Sequence, residues 1–250
     1  HPQWSAGTMK RSIFAVVVLC GALGCEKGPP TQEENAIATA RALIAALATN
    51  ASVRVIRESD AVREILKDVK ERKKREALLA DWRDALKRIP VEGLRPSRRY
   101  AAVREACHML NWDLIGAMWD VGSSYEKTWD AYFDTIEWID CQIAAMKPAK
   151  PASEGTWSWR EENDKWDAYI GLVEYRESVI ENLEIDQFDK GRHPNDVEKM
   201  DTIRAKFEKL IGRPVRKRED ITRLGFYVKQ ARARIQKERD AVLKKAASRE

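Results

Sequence analysis

Three histidines in 250 residues leave little room for imidazole chemistry, and only His108 and His193 lie in the body of the chain. Glycine and proline are also scarce, at 12 and 9 residues, and no stretch alternates apolar and polar residues in the manner of a half-buried strand. A β-sheet architecture is therefore not expected. Missing too are the Cys-x-x-Cys-His of haem attachment, a glycine-rich phosphate loop, Gly-x-Ser-x-Gly and His-Glu-x-x-His. No sequence feature supports an enzyme, and no cofactor is expected. The longest apolar run, Ile13 to Leu23, holds about eleven residues, too few to cross a ~30 Å hydrocarbon core.

What is abundant is charge, at 34% of residues, together with Ala, Leu, Glu, Lys and Arg, and the mean hydropathy is −0.55. This is the composition of a helical protein with enough chain to bury a sizeable core. Apolar residues recur at helical spacing in seven segments. Thr31-x-x-Glu34 is a capping box opening a helix to about Thr49, apolar nearly all round and so expected to be buried. A second helix starts near Ser59 or Asp60 and ends at Ile89, with a charged, protruding centre from Lys67 to Glu76. The third runs from Pro96 to about Val121, and the fourth, capped by Ser123-x-x-Glu126, to Lys147. The fifth runs from Ser158 to about Ile185, the sixth from Asn195 to Ile211 before Gly212, and the last from Lys217 to Ala247.

Met9-Lys10-Arg11, the apolar run and then Ala22-Leu23-Gly24-Cys25 follow the order of an export signal. Residues 9–25 resemble the signal region of bacterial lipoprotein precursors, departing from the usual pattern in the reversed order of Ala22 and Leu23. The resemblance implies removal of residues 9–24, lipidation of Cys25 and a membrane-anchored protein of the bacterial cell envelope that faces the periplasm or the cell surface. Glu26 in place of aspartate favours the outer membrane. Residues 1–8 are read as an upstream extension, 25–31 as a polar tether and 32–250 as a single helical domain.

The charges are divided along the chain. From Trp112 to Lys190 there are 7 basic and 18 acidic residues, and from Gly191 to Glu250 there are 18 basic and 9 acidic. Arg213, Arg216, Lys217, Arg218, Arg223, Lys229, Arg232, Arg234, Lys237 and Arg239 have the character of a phosphate-contacting set, but export argues against nucleic acid. In an envelope protein they would meet anionic lipid, lipopolysaccharide or the chain's own acidic segment, unless they form a solvated face.

With Cys20 and Cys25 assigned to processing, Cys107 and Cys141 remain. If the third and fourth helices form an antiparallel hairpin about Ser124, the two cysteines are level, which predicts a disulfide worth about 3–4 kcal/mol. The expected fold is all-α, an elongated bundle of six or seven helices with this hairpin at its centre. Trp112, Trp119, Trp129, Tyr132 and Trp166 crowd the acidic third of the chain, as core or as a surface for a ligand or partner. Glu105-x-x-His108 has the spacing of a di-iron bundle ligand pair, but His193 has Lys190 where its glutamate should stand, so no metal site is expected. Asp130, Asp134 and Glu137 share one helix face and read as an exposed acidic stripe rather than an acid/base pair. The expected function is a structural or protein-interaction scaffold of the envelope with a protein partner there. The alternative is a periplasmic bundle that binds a small ligand or metal.

Overall fold

An amphipathic helix is stable only when its apolar stripe finds a partner, and in this chain one long helix supplies that partner for three others. The computed structural model describes residues 29–49, 68–108, 124–148, 159–188, 191, 193–217, 220–221 and 224–247. Among these the fold is all-α: α1 (Gln32–Thr49), α2 (Arg72–Leu86), α3 (Pro96–His108), α4 (Tyr125–Met146), α5 (Trp159–Asp186), a 3₁₀ turn (Pro194–Asp196), α6 (Val197–Ile211) and α7 (Phe226–Ala247). None of these helices is long and apolar enough to cross a membrane.

α5 packs against α3, α4 and α7. It therefore buries residues on more than one face: Leu172, Val179, Ile180 and Leu183 enter the larger core, whereas Trp166, Tyr169, Ile170 and Val173 meet Ala231 and Ile235 of α7 in a smaller one. α4 joins the larger core through Trp129, Ile136 and Ile139, and α6 through Met200, Ile203 and Phe207 at i, i+3 and i+7. Trp129 is fully buried, with Phe188 and Phe207 at ring-centroid distances of 4.9 and 5.1 Å. Where α3 crosses α5 the Tyr100 ring lies against the α5 backbone: a Cβ on Gly171 would lie 2.9 Å from that ring.

Local signals fix several helix ends. The Thr31 box is closed in both directions, with the Thr31 N–H donating to Glu34 Oε2 at 2.8 Å and the Glu34 N–H donating to Thr31 Oγ1 at 3.2 Å. Pro96 begins α3, and Gly212, left-handed at φ 72°, ends α6 by donating to Glu208 O at 2.9 Å.

Four expectations are corrected. Among its described side chains α1 buries the stripe Ala36, Ala40 and Ile44, while Ala38, Arg41 and Ala42 are exposed, because alanine costs little to leave in water. The charged centre expected to protrude from the second helix is where α2 begins: Val69 is buried, and the buried Arg75 donates to its carbonyl. α7 begins at Phe226 rather than Lys217, directly after a turn at Leu224 and Gly225. The disulfide-linked hairpin is not at the centre of the fold, because Cys107 and Cys141 are not joined: Cys107 is a buried free thiol and Cys141 an exposed one. The cysteine pairing requires Arg99 to stand level with position 149, but Arg99 donates to Gln142 Oε1 at 3.1 Å, seven residues short, or about 10 Å along a helix. Cys107 instead lies beside Tyr175 of α5, and burial raises both the thiol and the phenol well above their usual pKa ranges.

Two outcomes follow from this packing. Gly171→Ala, which in an open helix interior would stabilise by about 1 kcal/mol, should here destabilise by about 1 kcal/mol in urea unfolding, and Tyr100→Leu should recover part of the loss. In a chain with Cys20 and Cys25 replaced by serine, a thiol reagent should modify Cys141 in the folded state and Cys107 only on unfolding.

Candidate functional site

The densest arrangement of polar groups lies where the basic segment after α6 folds back on α5. Glu181 and Glu184, three residues apart and so on one helix face, are each 2% exposed. Glu184 accepts from Arg213, and from Arg216 Nε and Nη2 at 3.0 and 2.8 Å. Arg216 also reaches Glu181 at 3.5 Å, and Arg213 reaches Glu177 at 4.0 Å. Both guanidinium groups stand over the ring of Tyr227, at 3.7 Å for Arg213 and 4.6 Å for Arg216.

Glu181 has a second task. Its carboxylate accepts the N–H of Gly225, which is left-handed at φ 80°, and the N–H of Tyr227 at 2.8 Å. These are donors at the start of α7, which have no partner within their own helix. The same device holds α2. There Glu33 of α1 accepts the N–H groups of Lys70 and Glu71 at 2.9 and 3.1 Å and the Lys74 ammonium at 2.6 Å. The Lys74 bond, with the two backbone donors, lowers the Glu33 carboxyl pKa.

Every carboxylate and guanidinium of the α5 cluster is thus engaged by another part of the same chain, and the cluster works as a clamp. The basic residues read as phosphate contacts divide accordingly. Arg213 and Arg216 turn inward, Arg232 pairs with Glu174 at 3.3 Å, and Arg239 lies 3.5 Å from Asp167 and 3.2 Å from Asp240. Arg213, Arg216, Arg232 and Arg239 of the basic end thus take partners in the acidic middle. Lys229, Arg234 and Lys237 remain exposed.

Of the aromatic residues proposed as a surface, Trp129 and Tyr132 belong to the larger core and Trp166 to the smaller. All three are interior: Trp129 and Tyr132 touch edge-on with ring centroids 5.6 Å apart, and Trp166 lies apart from them in the other core. The indole N–H groups of Trp129 and Trp166 are buried without a hydrogen-bond partner among the described residues, so the rings serve as apolar volume. Trp112, Trp119 and Cys25 lie outside the described residues. Asp134 is bound by Arg83, while Asp130 and Glu137 are exposed, so the acidic stripe of α4 does not converge. Among the described residues no three His, Cys, Asp or Glu side chains come together as a cation site. Between the first turns of α3 and α5 lies an open cleft of about 980 Å³ lined by Arg95, Ser97, Arg160, Glu161, Asp164 and Lys165.

Glu181, Glu184 and Tyr227 were not singled out from the sequence. A signal was present, since both glutamates sit beside Ile180 and Leu183 on a helix whose neighbours are apolar. Their partners, however, lie 29 to 46 residues further on.

Removing Glu184 leaves two half-buried arginines facing each other without their shared anion. Glu184→Ala should cost about 3 kcal/mol in urea unfolding and Tyr227→Leu about 1 kcal/mol. Compared with protein-family models, curated proteins and solved structures, the chain matches none.

Proposed function

We propose that this chain is a lipid-anchored structural or protein-interaction module of the bacterial cell envelope. The observation that carries the reading is how the fold spends its reactive side chains: the buried tryptophans, the buried glutamates and the inward arginines all hold helices to one another. Such a body is a rigid mount for an external surface. Catalysis, by contrast, needs polar groups left to converge on a substrate. The anchor itself rests on the signal-like residues 9–25 and on Cys25.

A second reading, a bundle that binds a small ligand, is favoured by the cleft between α3 and α5, whose mixed charges would suit a zwitterion.

The protein extracted gently from membranes of its own host should give a native mass that includes acyl chains on Cys25 and a protein partner. Cys25→Ser should abolish the acyl mass and release the chain from the membrane fraction. A lipid-free monomer carrying a small molecule would replace the scaffold with the second reading.

A further inference from the structure

Leu224 and Phe226, 64% and 49% exposed, are the large apolar side chains that stand out from the described surface, and they flank one residue, Gly225. Their backbone is not a loose end. The N–H groups of Gly225 and Tyr227 are both held by the buried Glu181, and Tyr227 packs under Arg213 and Arg216. Phe226 lies edge-on to Tyr227 with ring centroids 5.2 Å apart. The fold thus spends a buried carboxylate on a mount that leaves about half or more of two apolar side chains in water, where that exposed area adds nothing to its own stability.

The helix behind them continues the surface. Opposite Ala231 and Ile235, which enter the core, the helical repeat places Phe226, Lys229, Ala233, Lys237 and Lys244 on one outer face, with Arg234 at its flank. Lys229, Ala233, Arg234, Lys237 and Lys244 are all exposed. The acidic residue on this face, Asp240, is bonded to Arg239. From Phe226 to Lys244 the stripe is about 27 Å long.

We propose that this face of α7 docks on an anionic phospholipid bilayer, with Leu224 and Phe226 entering the headgroup region and Lys229, Arg234, Lys237 and Lys244 meeting lipid phosphates. Charge complementarity selects the occupant. A line of cations led by an aliphatic and an aromatic side chain is the composition of an interfacial helix. A nucleic acid would use the cations alone, and two apolar side chains are too few for the core of a stable protein interface. The assignment rests on the envelope reading for the presence of a bilayer, but the affinity of the face does not require the lipid on Cys25.

The test is lysine acetylation footprinting, read by mass spectrometry, of the full chain on vesicles of phosphatidylcholine with and without phosphatidylglycerol. Acetylation of Lys229, Lys237 and Lys244 should slow roughly tenfold on the anionic vesicles, while exposed Lys73 of α2 is unchanged. Leu224→Ser with Phe226→Ser should remove most of that protection without altering the helical circular dichroism, and Cys25→Ser should retain it. Equal rates on both vesicles, or full protection in the serine double variant, would overturn the docking face. So would equal protection of these lysines by a DNA duplex at the same salt concentration. Protection in a chain whose native form carries no acyl group would uphold this face while removing the anchor, and an acylated chain without protection would do the reverse.

Discussion

Two helices of this protein begin on a carboxylate that belongs to another helix. Glu181 of α5 accepts the leading N–H groups of α7, and Glu33 of α1 accepts those that precede α2. Leading N–H groups have no acceptor within their own helix and carry partial positive charge, so an anion placed there satisfies hydrogen bonds and opposes the helix dipole together. Because the anion is fixed to a neighbouring helix, the same bonds also set where one helix starts relative to another. Most of the tertiary arrangement follows from that constraint and from the apolar stripes that accompany it.

The constraint is strongest around α5. Its acidic residues face the basic segment that follows α6, so Arg213 and Arg216 are neutralised inside the molecule by carboxylates of the acidic middle. Buried ion pairs of this kind contribute little net stability relative to apolar packing, yet they tolerate few alternative arrangements, because any displacement leaves a buried charge without its partner. The clamp of Glu181, Glu184, Arg213, Arg216 and Tyr227 therefore acts mainly on geometry. It aims the start of α7, and with it the outer basic face, in one direction.

The tryptophans illustrate how composition misleads about surfaces. Seven of the nine lie between Trp112 and Trp166, a concentration that invites a ligand or partner site. Trp129 and Trp166 are instead spent in separate cores, one under α6 and one under α7. Large rings fill the wide gaps left where a central helix meets several neighbours. Among the described residues the large apolar side chains left exposed are Leu224 and Phe226, neither of them a tryptophan. Periodicity reads a helix from Lys217, whereas α7 begins at Phe226, with Leu224 and Gly225 in a turn before it.

The sequence by itself determined the all-helical class, through its composition and its apolar repeats. It also determined those helix ends whose signals are local: the Thr31 and Glu34 box, Pro96 at the start of α3, and Gly212 after α6. Only the tertiary structure decided where α2 and α7 begin, which helix is central, and that Cys107 and Cys141 stay apart. The physical reason is distance along the chain. A cap three residues away is written in the local sequence, whereas one supplied 37 to 46 residues away exists only once two helices have packed. The cysteines have the spacing of a pair, but α3 turns Cys107 toward Tyr175 of α5, the stronger apolar partner.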